Sequence, residues 1–252
     1  MNTEKSRAEY IAARKAAEDK RKARAAENLA DHVYTRLFTG PGVEAWRCAQ
    51  PRSSFYAFDI LMTRFGIAIV GDIENMTFVV GNHYGMEFLA KNDVEYYIHS
   101  KLDPKCKEVE FDQDAWRELV VRGACSRIRE ISTDEDVEQW PAWVDKHDLQ
   151  TRDIYTDVMN YTDSKREHEQ DLSWTNLHDL LSEAEDIDYT DAAMVFLRDN
   201  DEGLCLCDTE QSEVEKVCES VYANLYMINH AAKAIMAIKA LATEVGGKVD
   251  AA

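Results

Sequence analysis

A chain of 252 residues with 45% hydrophobic content can bury one large core, or a core with an appendage, and its 31% charged residues supply a polar surface. The formal net charge is −19, and no run approaches the ~18 apolar residues that a membrane span requires. The opening stretch, MNTEKSRAEYIAARKAAEDKRKARAAENLA, lacks the apolar core of a signal peptide, so the protein is expected to stay in the cytoplasm.

Taken in order, residues 3–36 read as one long helix rich in Ala, Glu, Lys and Arg, with a local net charge of +3 and little apolar content before Leu29, Val33 and Leu37. This predicts a basic N-terminal helix over 1–39 whose first twenty-odd residues project. Gly40-Pro41-Gly42 is the clearest linker signal, and an α+β body is expected over 40–252. Within that body, 43–110 holds the sheet and adjoining helices, 111–212 an acidic helical region, and 213–245 a long C-terminal helix.

Phe55–Val80 organises the body: three β-rich runs separated by Phe65-Gly66 and by Asp72–Asn75, with Tyr56, Phe58, Ile60 and Met62 on one face of the first. Such short connections make successive strands antiparallel neighbours, and a three-stranded meander needs helices over one face. Asn92 with Glu95 forms a capping-box pattern for the next helix. From Asp112, the residues Trp116, Leu119, Val120, Ala124, Ile128 and Ile131 recur at helical spacing. Further helix starts are expected at Thr133, Thr151, Ser173 and Thr190. The last element carries Val214, Cys218, Val221, Leu225, Ile228, Ala232 and Ile235 in alternating steps of four and three. This predicts a core helix, with a dimerising seam as the alternative. The fold class is α+β: a three-stranded antiparallel meander packed against a mainly helical body with a long C-terminal helix.

Charge is segregated along the chain. Between Thr133 and Glu213 there are 24 acidic residues against five basic ones, a net of −19, while the remainder balances at 24 against 24. Tryptophans and leucines are interleaved with these acids, so the segment can order and display its carboxylates on a folded surface. The candidate partner-binding residues are Asp134, Glu135, Asp136, Glu138, Asp163, Glu183, Glu185, Asp186, Asp188 and Asp191. Helical carboxylates three or four residues apart lie ~5–6 Å from one another. That is close to the ~6–7 Å spacing of phosphates along a nucleic-acid strand. The face therefore reads either as a solubilising surface or as an imitation of nucleic acid that occupies a basic groove on a partner. Repulsion disfavours its own binding to DNA or RNA.

A second reading places a metal-dependent hydrolase or nucleotide-binding site at Asp59, Asp72, Glu74 and His83, the polar residues in or beside the sheet. No zinc-protease, calcium-loop, nucleophile-elbow or phosphate-loop motif accompanies them, so no catalytic residue, metal site or cofactor is assigned. The simpler roles are a hairpin turn for Asp72 and a solvent-side Arg or Lys partner for Asp59. The six cysteines suit reduced thiols, and Cys205 and Cys207, in GLCLCD, read as two ordinary thiols with a zinc site as the alternative.

Phe58-Asp59-Ile60, Ile67–Val70, Gly71-Asp72-Ile73 and Phe78 together form a pattern that resembles accessory proteins of tailed phages and prophages. In that pattern a Tyr-containing helix follows, as in Val94–Leu102, and a helix with Ala and aromatic residues closes the chain, as in Tyr222–Ala240. The likeness covers 45–110 and 214–240 and leaves out the acidic block. It carries no residue-level activity. By association it implies a host-defence inhibitor of anti-CRISPR or anti-restriction type in a bacterial host cell, whose partner is a basic nucleic-acid-binding complex. The remaining alternative is a structural or regulatory phage protein that forms a homodimer.

Overall fold

The computed structural model describes residues 2–81, 84–132, 141–145, 154–168, 172–204, 206 and 209–246. The chain divides into two compact units, residues 1–108 with 217–252, and residues 109–216. The second is thus inserted into the first, and the C-terminal helix completes a unit whose sheet precedes the insertion.

Five strands, β1 (Val33–Gly40), β2 (Val43–Ala49), β3 (Phe58–Thr63), β4 (Gly66–Gly71) and β5 (Met76–Phe78), form an antiparallel meander in sequence order. The fold is α+β as expected, but the sheet has five strands where three were read. The expected helix over 1–39 ends at Asn28, and Val33–Gly40 joins the sheet. Leu29, Val33 and Leu37 share an i, i+4 spacing, yet Val33-Tyr34-Thr35 and Phe38-Thr39 are β-branched and aromatic, the residues that suit a pleated surface. Gly40-Pro41-Gly42 is a hairpin turn, with Gly40 paired to Val43. Pro at the second position and Gly42 at φ +71° in the third are what a type II turn requires.

One register row of the sheet runs through Trp46, Ile60, Ile69 and Met76, and all four are buried. These residues, with Phe58, Met62, Ile67 and Phe78, share a core with Val221, Leu225, Ile228, Ala232 and Ile235 of the C-terminal helix. Gly71 faces Phe58 across the ladder, and a Cβ there would stand 2.3 Å from the Ala57 carbonyl oxygen, so only glycine fits. Buried Asn229 in the final helix donates to the carbonyls of Leu89 and Lys91, both at 2.6 Å, which satisfies its amide. Asp93, rather than Asn92, caps the π-helical turn Val94–Ile98 by accepting from the Tyr96 N–H.

The C-terminal helix spans Glu219–Gly246, starting later than the expected residue 213. Val214 shared its apolar spacing by coincidence: it belongs to the core of the inserted unit, and Glu215–Val217 is a short strand. The N-terminal helix is exposed over 11–16, where Arg14 lies 3.7 Å from Glu95. Its second half docks. Ala25 and then Leu29 enter the core, and the Arg21 guanidinium donates to Glu219 at 2.5 and 2.8 Å and to Glu95 at 2.6 Å.

The inserted unit is mainly helical. Asp112 caps the helix Gln113–Ile131, accepting from the N–H groups of Asp114 and Ala115. Trp116, Leu119, Val120, Ala124 and Ile128 face its core as their spacing predicts, meeting Trp174, Leu177, Leu181 and Ala184 of the helix Leu172–Glu185. The Trp116 indole N–H donates to the Ala184 carbonyl at 2.9 Å, and the Tyr155 hydroxyl to the Leu181 carbonyl at 2.5 Å. Helix starts fall at Leu172 and Thr190. Those expected at Thr133 and Thr151 lie outside the described residues. Among the described residues, no helix is long and apolar enough to cross a membrane.

Candidate functional site

The structural boundary sharpens the charge boundary. The inserted unit holds 30 acidic and ten basic residues, a net of −20, whereas the unit that encloses it has 18 acidic and 19 basic, a net of +1. All of the excess charge therefore belongs to one unit.

Helix geometry explains how the carboxylates reach solvent. Leu172–Glu185 and the turn after it bury Leu177, Leu181, Ala184 and Ile187, three or four residues apart. The intervening positions Glu183, Glu185, Asp186 and Asp188 must then face outward, and each is exposed. Asp191 is exposed in the first turn of Thr190–Asp199, where the helix dipole favours a negative charge. Glu183 and Asp191 share the rim of a shallow groove of about 330 Å³ with Asp199, over a floor that includes Ile187, Val195 and Phe196. Asp199 was not singled out in the sequence. The Asp199 carboxylate accepts from its neighbour Arg198 at 2.9 Å, so part of its charge is already met. A groove with an apolar floor and acidic rim suits the long stem and charged head of Arg or Lys.

Asp163 stands apart from this cluster. It lies on the helix Ile154–His168, in an ion pair with Arg166 at 2.7 Å. Arg166 also approaches Asp179 at 4.0 Å, which ties the helix to Leu172–Glu185. Asp134, Glu135, Asp136 and Glu138 lie outside the described residues, as do Cys205, Cys207 and His83.

Of the alternative constellation beside the sheet, His83 lies outside the described residues, and Asp59 does not join Asp72 and Glu74. Asp59 is turned to Arg47, which donates from Nε and Nη2 at 2.9 Å each. Asp72 and Glu74 do meet, on the rim of a separate groove of about 330 Å³ with Arg24, Tyr56, Glu219 and Asn224. Both have structural work there: Asp72 accepts the Tyr56 N–H at 2.8 Å and Glu74 accepts from the Asn224 amide at 3.1 Å. Tyr56 and Glu74 adopt φ of +52° and +73°, and these two hydrogen bonds brace the left-handed positions. Among the described residues no three His, Cys, Asp or Glu side chains converge as metal ligands. Comparison with family models, with curated proteins and with solved structures gave no match.

Proposed function

We propose that this protein is a binding module whose acidic unit occupies a positively charged, nucleic-acid-binding surface on a partner protein. One observation carries the reading: the net charge of −20 resides on a folded unit with its own core, while the other unit of the chain carries +1. A chain that needed charge only for solubility has no reason to confine it to one folded unit. Exposed carboxylates at Glu183, Glu185, Asp186, Asp188 and Asp191 present on an ordered surface the charge that a basic groove receives from phosphates. With the resemblance noted above, the specific form of this proposal is an inhibitor of a host nucleic-acid-binding defence complex.

The test is capture and competition. The protein immobilised through its C-terminus is exposed to bacterial lysate, and bound proteins are challenged with duplex or single-stranded nucleic acid. The proposal expects a basic partner that nucleic acid releases. A partner that stays bound while carrying nucleic acid, or one released only by excess of the protein itself, contradicts mimicry.

A further inference from the structure

The face of the sheet turned away from the core has an unusual composition. In register, its rows are Thr35, Arg47, Asp59 and Val70; then Phe38, Ala45, Leu61, Ala68 and Thr77; then Val43 and Thr63. An antiparallel sheet with one solvated face alternates apolar inside with polar outside. Here Phe38 (56% exposed), Val70 (47%), Val43 (41%) and Leu61 (36%) point outward. Arg47 and Asp59 are the only charged side chains in these rows, and they neutralise each other. In a chain with 31% charged residues, a face this poor in net charge resembles the core of an interface.

We propose that two copies of the chain pack through this face, sheet on sheet, as the halves of a β-sandwich. Area and charge single out a second copy. Five strands at ~4.8 Å spacing and about six residues at ~3.4 Å rise make a face of roughly 500 Å² in plan. Two such faces remove about 1,000 Å² from solvent, the lower bound of a specific protein interface. The unit that bears the face has a net charge of +1, so the paired faces themselves bring no large like charge together. A self-neutralised Arg47–Asp59 pair is compatible with a two-fold axis, which presents the same patch to itself. Strand-edge pairing through β1 is the weaker geometry, because its ladder is broken by a bulge between Arg36 and Phe38. The dimer carries two acidic units, so a partner with two basic sites is held more tightly than a single contact allows.

Sedimentation equilibrium of the full chain tests this. Wild type is expected at twice its 28.8 kDa mass in the micromolar range, dissociating on dilution. Leu61→Glu with Val70→Glu should give a monomer with unchanged far-UV circular dichroism. Arg47→Glu sits at an exposed position and guards against misfolding of that variant. It places unpaired carboxylates on both faces and should weaken dimerisation about 100-fold through like-charge contact. Val195→Glu, on the acidic unit, should leave the dimer intact. A wild type that stays monomeric at ~200 µM, far above the Kd expected of a specific interface, overturns the proposal, whatever else then covers the face. So does a dimer that both face variants leave unchanged, which would put the contact elsewhere, for example on the final helix.

Discussion

The two units use charge in opposite ways. In the enclosing unit, apart from the local pair Lys22 and Glu18, the described ionic contacts join residues twelve or more apart in sequence: Arg21 with Glu219 and Glu95, Arg47 with Asp59, and Lys239 with Glu44 at 2.9 Å. In the inserted unit, the shortest ion pairs among the described residues join near neighbours, such as Arg127 with Glu130 and Arg166 with Asp163. Its 30 acids outnumber its ten bases, so twenty carboxylates exceed the supply of cations. Short ionic contacts join distant segments in one unit. In the other, the described contacts of that kind are long, as between Arg122 and Glu213 at 3.8 Å, and most of the charge is displayed.

The comparison is broken most severely by emptying one core at a time. Trp116→Ala removes a fully buried indole and leaves the Ala184 carbonyl only the longer bond from the Ile187 N–H at 3.4 Å, a loss of about 3–5 kcal/mol. Hydrogen exchange should then rise across 113–131 and 172–185 while β2–β4 keep their protection. Leu225→Ala, in the other core, should cost about 2–5 kcal/mol and give the converse pattern. Loss of protection in both units from either change would show that they unfold as one block.

A smaller effect is expected from Arg21→Met, which removes the contacts of Arg21 to Glu219 and Glu95 and keeps an apolar stem. The expected cost is about 1–3 kcal/mol for a charged, partly buried set of hydrogen bonds. The Arg21 hydrogen bond holds the Glu219 carboxyl below its ordinary pKa, and Arg21 itself is raised chiefly by Glu219. A depressed folded pKa contributes stability that is present above the unfolded value and lost as pH falls through the folded one. The difference between wild type and Arg21→Met in urea melts should therefore be constant above about pH 5 and shrink below about pH 4, the unperturbed range of Glu. An unchanged difference at pH 3 would assign the effect to packing. Burial likewise lowers the pKa of His99 and His230, both in this unit. Its stability should accordingly begin to fall as the pH drops below about 6.5, the unperturbed value for His, and His230→Gln should flatten that slope.

The smallest effect on folding should come from the acidic face. Replacing Glu183, Glu185, Asp186 and Asp188 by Gln or Asn is expected to alter stability by no more than about 0.5 kcal/mol, or to raise it slightly, because exposed like charges repel. Added salt should stabilise the wild-type inserted unit more than this variant.

Legibility followed periodicity. Trp116 to Ile128, Trp174 to Ala184 and Val221 to Ile235 were readable because each stripe repeats over several turns on one helix. Val33–Gly40 was misread because three apolar residues four apart mimic a stripe, and only the β-branched run between them argued otherwise. The nesting of one unit inside the other was not legible at all. Val214 and Val221 fit one helical phase, yet they lie in different cores, and no local pattern records which core a residue enters. Of the candidate site, the exposure of Glu183, Glu185, Asp186 and Asp188 followed from the buried positions between them. Asp199 was not singled out, although it follows Asp191 and Val195 at steps of four on one helix and so shares their face.

The most direct test of the acidic unit as a binding surface is the rate at which wild type and the Glu183/Glu185/Asp186/Asp188 variant associate with the captured partner across a salt series. The account predicts a fast wild-type on-rate that falls steeply with ionic strength, a slower and flatter one for the variant, and similar dissociation rates. Equal on-rates and equal salt slopes for the two proteins would contradict it.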